Sequence, residues 1–387
     1  MEFMYDRGSN GESIRVLMLT TDSEICGTER IILSILRHLD PRRFQPALVT
    51  LYGPGDLVDA VREMKIPALN LRWKEESAFS ALRKWRRFLN EFRPDLIQSL
   101  LIHSNVLGRL TVFFRNEIAM LGGISTVYTV EGYGRLYAWI ERLTHPIDTL
   151  YVVNSEIGMR SVFDSIGLPE KKVVLVHNGI PIGGATVDSH LIRREIITEF
   201  GFPEESLIVG IVAQLRPAKR HDHLIRAVAR LKGRFPGLRL LIVGKGEIES
   251  ALKELAVRQG VAAETVFTGY RSDARRMMRG MDVFALSSVV EGEPVSVMEA
   301  MDAGLPVVAA ATGGIPEIVR DGITGLLTPQ NDLSAFCRAL ERLLDCSEER
   351  KAMGAAGRER VRAFFSEERM SREFQDLYLR CVPHKKC

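Results

Sequence analysis

Two glutamates, Glu291 and Glu299, bracket the stretch EGEPVSVMEA, where an apolar run gives way to a helical pattern. Gly313, Gly314 and Glu317 follow within one more strand–helix unit. These residue types suit a phosphorylated, polyhydroxylated ligand. A carboxylate inside the helix, such as Glu299, can accept hydrogen bonds from both hydroxyls of a ribose, as acidic residues do in dinucleotide sites. Gly292 permits close backbone approach. Val295 and Ser296 stand where the helix starts and its unpaired N–H groups favour a phosphate. Lys219, in LRPAK, offers a cation that would offset charge developing on a leaving diphosphate. Taken singly, each of these residues is more often a solvated surface group or a plain turn; their joint placement points to a nucleotide with a sugar on its phosphates.

Such a set needs strand ends and helix starts to hold it, and the hydrophobic pattern supplies them. Ile14 to Thr20 reads as a buried strand, followed by a helix near Glu29 to Leu39. Further strands are expected at Gln45 to Leu51, Asp95 to Ser99, Ser125 to Thr129 and Leu150 to Asn154. A second series follows: Leu207 to Ala213, Leu238 to Val243, Thr265 to Thr268, Val283 to Ser287 and Pro306 to Ala310, with helices in the gaps. Strands alternating with helices predict an α/β fold with mostly parallel sheets covered on both faces. The expected organisation is a flexible stretch 1–13, a first domain 14–182, a linker 183–202, a second domain 203–365, and a closing helix and tail 366–387 that could belong to the second domain or cross back to the first. Two such domains would leave a cleft at the carboxyl ends of their strands, where open α/β sheets bind ligands.

The segment EGEPVSVMEAMDAGLPVVAAATGGIPEIVRDGITGLLTP, with CGTER, VHNGI and LRPAK, closely resembles the retaining glycosyltransferases of family 4. The resemblance covers most of the chain and implies the GT-B fold: two Rossmann-like α/β/α domains facing each other across a cleft. It implies transfer of a hexose or N-acetylhexosamine from a nucleotide-diphosphate sugar, UDP- or GDP-linked, to a glycan or lipid-linked saccharide, as in cell-surface polysaccharide synthesis. It gives Glu299 the ribose, Glu291 the donor sugar and Lys219 the diphosphate. Gln214 stands where the family usually has an arginine, and Arg216 is the nearby candidate for a second charge. Glu293 follows Gly292 where the family often has an aromatic or small residue, which marks a donor-specificity position. Gly244 and Gly246 open a loop on the cleft wall, and Gly269 and Tyr270 lie where the family's backbone meets the base. On the acceptor side, Gly27 sits in the first turn, with Cys26 in place of a second glycine. His103 and Asn105 resemble a polar segment lining the cleft, and Glu131 stands where many members carry a histidine. The family's front-face reaction needs no protein nucleophile and no metal; the chain has no Asp-x-Asp segment for a metal-bridged donor. A nucleotide-sugar epimerase and a non-catalytic sensor or assembly partner are the alternatives, the latter because of Gln214 and Glu131.

Composition narrows the remaining classes. The chain has 387 residues, enough for two cores, and a net charge of +3, too small to imply nucleic acid. Its five cysteines have no metal spacing and an odd count, which points to a reducing, cytoplasmic setting rather than a secreted disulfide framework. The start lacks the apolar core of a signal peptide. No apolar run reaches the ~18 residues of a membrane span. Arg72, Lys74, Arg83, Lys84, Arg86 and Arg87 crowd residues 72–88 among Trp73, Phe79, Trp85 and Phe88. That segment is the candidate for peripheral contact with anionic membrane, with Phe113 and Phe114 as a further apolar surface. A solvated helix face is its bland alternative. Sequence leaves the oligomeric state open.

Overall fold

The computed structural model describes residues 13–25, 27–124, 130–183 and 188–382, with the side chains of 130–135 excepted. The chain divides into two compact units. Unit one runs through Gly179 and resumes at Glu367; unit two is Ile180–Ser366.

Unit one opens with β1 (Ile14–Thr20), α1 (Gly27–His38), β2 (Phe44–Thr50), α2 (Asp56–Glu63) and β3 (Ala68–Asn70). It continues with α3 (Ala78–Phe92), β4 (Leu96–Leu100), α4 (Ile102–Phe114), β5 (Ala119–Ile124) and α5 (Val130–Thr144). β6 (Leu150–Val153), α6 (Glu156–Ile166) and β7 (Val173–Leu175) follow. Its seven strands lie in the order β3-β2-β1-β4-β5-β6-β7, and the pairs are parallel. The pattern IRVLMLT explains β1: a parallel strand covered on both faces reads as continuous apolar residues. Its one charged residue, Arg15, is partly exposed and pairs with Asp95 at 3.0 Å.

Unit two contains α7 (Ser189–Phe200), β8 (Leu207–Val212), α8 (His221–Leu231), β9 (Leu238–Val243), α9 (Glu249–Arg258) and β10 (Thr265–Gly269). Next come α10 (Ala274–Met278), β11 (Val283–Leu286), α11 (Val295–Asp302), β12 (Val307–Ala310) and α12 (Ile315–Ile318). β13 (Gly325–Thr328), α13 (Leu333–Asp345) and α14 (Ser347–Phe364) complete it. The sheet order is β10-β9-β8-β11-β12-β13, again parallel. Strand order therefore reverses between β8 and β11, the switch point where open α/β sheets bind ligands. The last helix, α15 (Glu367–Cys381), packs in unit one against α1 and carries buried Met370, Phe374, Leu377 and Tyr378.

Two local expectations change. The fifth strand is Ala119–Ile124, and residues 125–129 lie outside the described residues. Its sequence, AMLGGI, has weak strand propensity, because glycine brings no side chain to a sheet. Tertiary crowding selects the glycines instead. A Cβ on Gly122 would come 2.8 Å from an Asp148 carboxylate oxygen, and one on Gly123 would come 3.2 Å from the Val152 carbonyl oxygen. The second change concerns α3. Trp85 and Phe88 are core residues beside Leu89 and Phe92, and Trp73 packs partly against the same cluster. Of the four aromatics expected to reach outward, Phe79 is the strongly exposed one, at 77%.

Candidate functional site

In unit two the loops leaving β8 and β11 meet. The Val289 amide donates to the Ala218 carbonyl at 2.9 Å, and the Ser287 hydroxyl to the Arg220 carbonyl at 2.8 Å. This zipper brings Lys219 and Glu291, 72 residues apart, into a 2.6 Å ion pair. Glu291 is buried, while Lys219 keeps partial exposure. A buried carboxylate needs a cation, and the exposed side of that cation stays available to a second anion. Arg216 is exposed in the same loop and Gln214 half-buried.

The next loop braces the carboxylate. Gly313 has φ +54°, and a Cβ there would strike the Glu291 carbonyl oxygen at 1.8 Å. The Gly314 amide donates to the Gly292 carbonyl at 2.6 Å. Only glycine fits such an approach at a positive φ. Gly292 and Glu293 lead into α11, which starts at Val295 and Ser296 behind Pro294. Glu293 and Glu299 are both buried beside this helix, at 4% and 6% exposure. Three buried carboxylates, at positions 291, 293 and 299, thus gather around one short helix. Glu317 is half-buried in α12, where Arg360 bonds its carbonyl.

Gly244 and Gly246 lie against the β8 loop: a Cβ on the first would come 2.0 Å from the Ala213 carbonyl oxygen, and one on the second 2.3 Å from that of Leu215. Their lack of a side chain shapes the segment that carries Gln214. Tyr270 is 60% exposed after the edge strand β10, with the Lys245 ammonium 5.9 Å from its ring centroid.

His221 gives no signal in the sequence reading, yet it is fully buried two residues beyond Lys219. Neither ring nitrogen has a hydrogen-bond partner. Burial, reinforced by the Lys219 charge, pushes its pKa down to about 4, so the ring is neutral at pH 7. A neutral imidazole adds no competing charge beside the lysine.

In unit one, Gly27 is exposed at the start of α1, and a Cβ there would meet nothing within 4 Å. Cys26 lies outside the described residues, as does the side chain of Glu131; the latter falls in the first turn of α5. His103 is exposed at the start of α4, with Nε2 3.1 Å from the Tyr137 hydroxyl. Partial burial and the Lys74 charge hold its pKa below the usual histidine value. The expected partnership of His103 and Asn105 in lining a site does not hold. Asn105 is fully buried, accepting from the Ser99 hydroxyl at 2.5 Å and donating to the Gly123 carbonyl at 3.1 Å. It ties β4 to β5. Among the described residues no helix is long and apolar enough to cross a membrane.

Comparison with known proteins gives the family. The family model "Glycosyltransferase Family 4" matches residues 25–183, and "Glycosyl transferases group 1" matches residues 192–360. The chain is 29% identical over 308 residues to EpsD of Bacillus subtilis, a protein assigned as a glycosyltransferase; the match spans 76% of this chain and 79% of that one. It is 31% identical over 220 residues to the D-inositol 3-phosphate glycosyltransferase of Mycobacterium bovis, across 55% of this chain and 43% of that one. The fold is shared with Anabaena HepE in complex with UDP-glucose (TM-score 0.82, 19% identity, 94% of this chain and 99% of that one). It is also shared with WaaG, a glycosyltransferase involved in lipopolysaccharide biosynthesis (TM-score 0.76, 17% identity, 94% and 99%). Matched along both halves, the chain belongs to glycosyltransferase family 4 and is a nucleotide-sugar-dependent glycosyltransferase of the GT-B fold.

Proposed function

We propose that this enzyme moves a hexose or N-acetylhexosamine, with retention at the anomeric carbon, from a UDP- or GDP-sugar held by unit two to a glycan or lipid-linked saccharide in surface-polysaccharide synthesis. The Lys219–Glu291 pair at the switch point carries this reading. The ammonium takes the diphosphate, Glu291 turns to the donor sugar's hydroxyls, and Glu299 accepts from the ribose. The acceptor hydroxyl attacks the anomeric carbon as the bond to the diphosphate breaks. Its proton passes to the leaving phosphate oxygen on the same face, so no protein nucleophile is required. Lys219 stabilises the charge gathering on that oxygen, a contribution larger in the transition state than in the ground state.

His103 with Tyr137, and Glu131 at the start of α5, are assigned to the acceptor side, and Tyr270 to the nucleotide base. Gln214 supplies a neutral hydrogen bond where the family has a cation, leaving Lys219 and Arg216 as the charges for the phosphates. A lipid-linked acceptor places the enzyme peripherally on the inner face of the cell membrane, facing the cytoplasm. The support is the related names: HepE is known with UDP-glucose, and WaaG acts in lipopolysaccharide synthesis.

Thermal shifts with UDP, GDP and ADP test the donor assignment; a uridine or guanosine diphosphate should give the largest rise. Glu299→Ala should weaken that nucleotide by about 1–3 kcal/mol, the scale of hydrogen bonds to a charged group. Lys219→Ala should lower transfer more than it lowers melting temperature. Wild-type affinity in the first variant, or wild-type turnover in the second, would remove the corresponding role.

A further inference from the structure

We propose that the exposed faces of α3, α4 and α5 form one continuous surface that docks on an anionic lipid bilayer. The inference rests on the membrane-side reading of the acceptor given above and extends the contact from residues 72–88, Phe113 and Phe114 to the exposed faces of three adjacent helices.

Side-chain bonds join the helices. The Trp85 indole donates to the Thr111 hydroxyl at 3.1 Å, linking α3 to α4. Arg109 pairs with Glu141 at 2.8 Å, linking α4 to α5. On α3, Phe79, Leu82, Arg83 and Arg86 are exposed at the i, i+3, i+4, i+7 spacing of one helical stripe. On α4, Leu110, Phe113 and Phe114 are exposed by 51%, 67% and 80%. On α5, Leu136, Trp139 and Leu143 are exposed by 66%, 60% and 58%, beside exposed Arg142. Single exposed leucines are ordinary, but large apolar side chains gathered on three neighbouring helices are not.

Charge decides the occupant. Among the described residues of these helices the one exposed acid is Glu91, already paired with Arg87 at 2.7 Å. Cations interleaved with leucines and aromatics, with that single paired acid exposed among the described residues, match the boundary between anionic headgroups and acyl chains. The apolar groups enter the boundary while arginines reach back to the phosphates. A protein partner would have to bring its own excess of acids around an apolar centre.

Co-sedimentation of the full chain with phosphatidylcholine vesicles, with and without about 30% phosphatidylglycerol, tests this directly. Binding should require the anionic lipid and weaken as salt rises. The chain has three tryptophans, of which Trp85 is buried and Trp73 packs against the same core. A vesicle-induced blue shift in emission should therefore come from Trp139 and vanish in Trp139→Phe. The double change Phe113→Ser with Phe114→Ser, and separately Arg83→Glu with Arg86→Glu, should each cut binding by ~10-fold or more. Phe364→Ser, at an exposed residue of unit two, should leave binding unchanged. Three outcomes overturn the proposal: no vesicle binding, binding indifferent to both double variants, or a dimer in ultracentrifugation that the phenylalanine variant dissolves. UDP-induced thermal shift is measured on the same proteins. Its loss in the wild type counts against the donor site, whereas its retention in variants that no longer bind vesicles separates the two readings.

Discussion

Lys219 is where the residue-scale argument concentrates, because its two neighbours control its charge environment. Glu291 neutralises it at 2.6 Å, and His221, buried and neutral, leaves that balance undisturbed. A histidine kept neutral by burial has a consequence for stability. The unfolded side chain takes up its proton near pH 6.5, the folded one only near 4. Between these values the unfolded state binds more protons, so stability falls as pH falls. The full gap corresponds to about 3 kcal/mol. Urea unfolding of wild type and His221→Leu from pH 7 to pH 4 should show this loss in the first and a flatter profile in the second. Parallel profiles would mean that the ring is not desolvated. The carboxylates of EGEPVSVMEA stood out in the sequence as a candidate set because their types and spacing are local. His221 was not, since nothing in HDHLIRA separates a buried imidazole from a solvated one.

Elements explain why α4 and α5 can show so much apolar surface without collapsing. They are tied underneath by a fully buried ionic cluster. Arg109 bonds the Asp148 carboxylate with Nε and Nη2, at 2.9 and 2.6 Å, and Glu141 with Nη1 at 2.8 Å. Two carboxylates share one guanidinium, and burial raises Asp148 to about 6. Here the sign is opposite to that of His221. The folded state holds the extra proton, so this contribution is present below pH 3.8 and is lost as pH rises through 6. Arg109→Met should cost about 3–5 kcal/mol at neutral pH by leaving buried carboxylates unpaired. Part of that loss should return near pH 5, where a carboxylate can be protonated. Equal losses at both pH values would show that packing, not charge, is the main effect. The same scale accounts for two features the sequence pattern did not announce: AMLGGI is a strand because its glycines admit Asp148 and Val152, and α3 buries Trp85 and Phe88 because their stripe meets the sheet.

At the scale of the whole molecule, the chain closes unit one with residues that follow unit two. Glu367 accepts from the Ser34 hydroxyl at 2.7 Å, and Tyr378 stacks edge-on against Phe44 at 5.7 Å while its hydroxyl bonds Gln98. Unit one is therefore incomplete until the last helix has been made. Truncation after Ser366 should expose Met370's and Phe374's binding surfaces and destabilise unit one by several kcal/mol, as losing several buried side chains does. Unit two, with its own core, should still shift its melting temperature with the correct nucleotide. A truncated chain that retained wild-type unit-one protection in hydrogen exchange would contradict this topology.

The sequence by itself determined the α/β class, most strand positions, and the carboxylates and glycines that flank one short helix. Those features act within a few residues, through periodicity, backbone freedom and spacing. Tertiary structure decided what required distant partners: Lys219 beside Glu291 across 72 residues, Glu367 beside Ser34 across 333, Asn105 turned into the core, and aromatics sorted into those of α3 that pack and those of α4 and α5 that do not. Burial is a property of the folded surroundings, and the same tryptophan or histidine has the same local pattern whichever way it ends up facing.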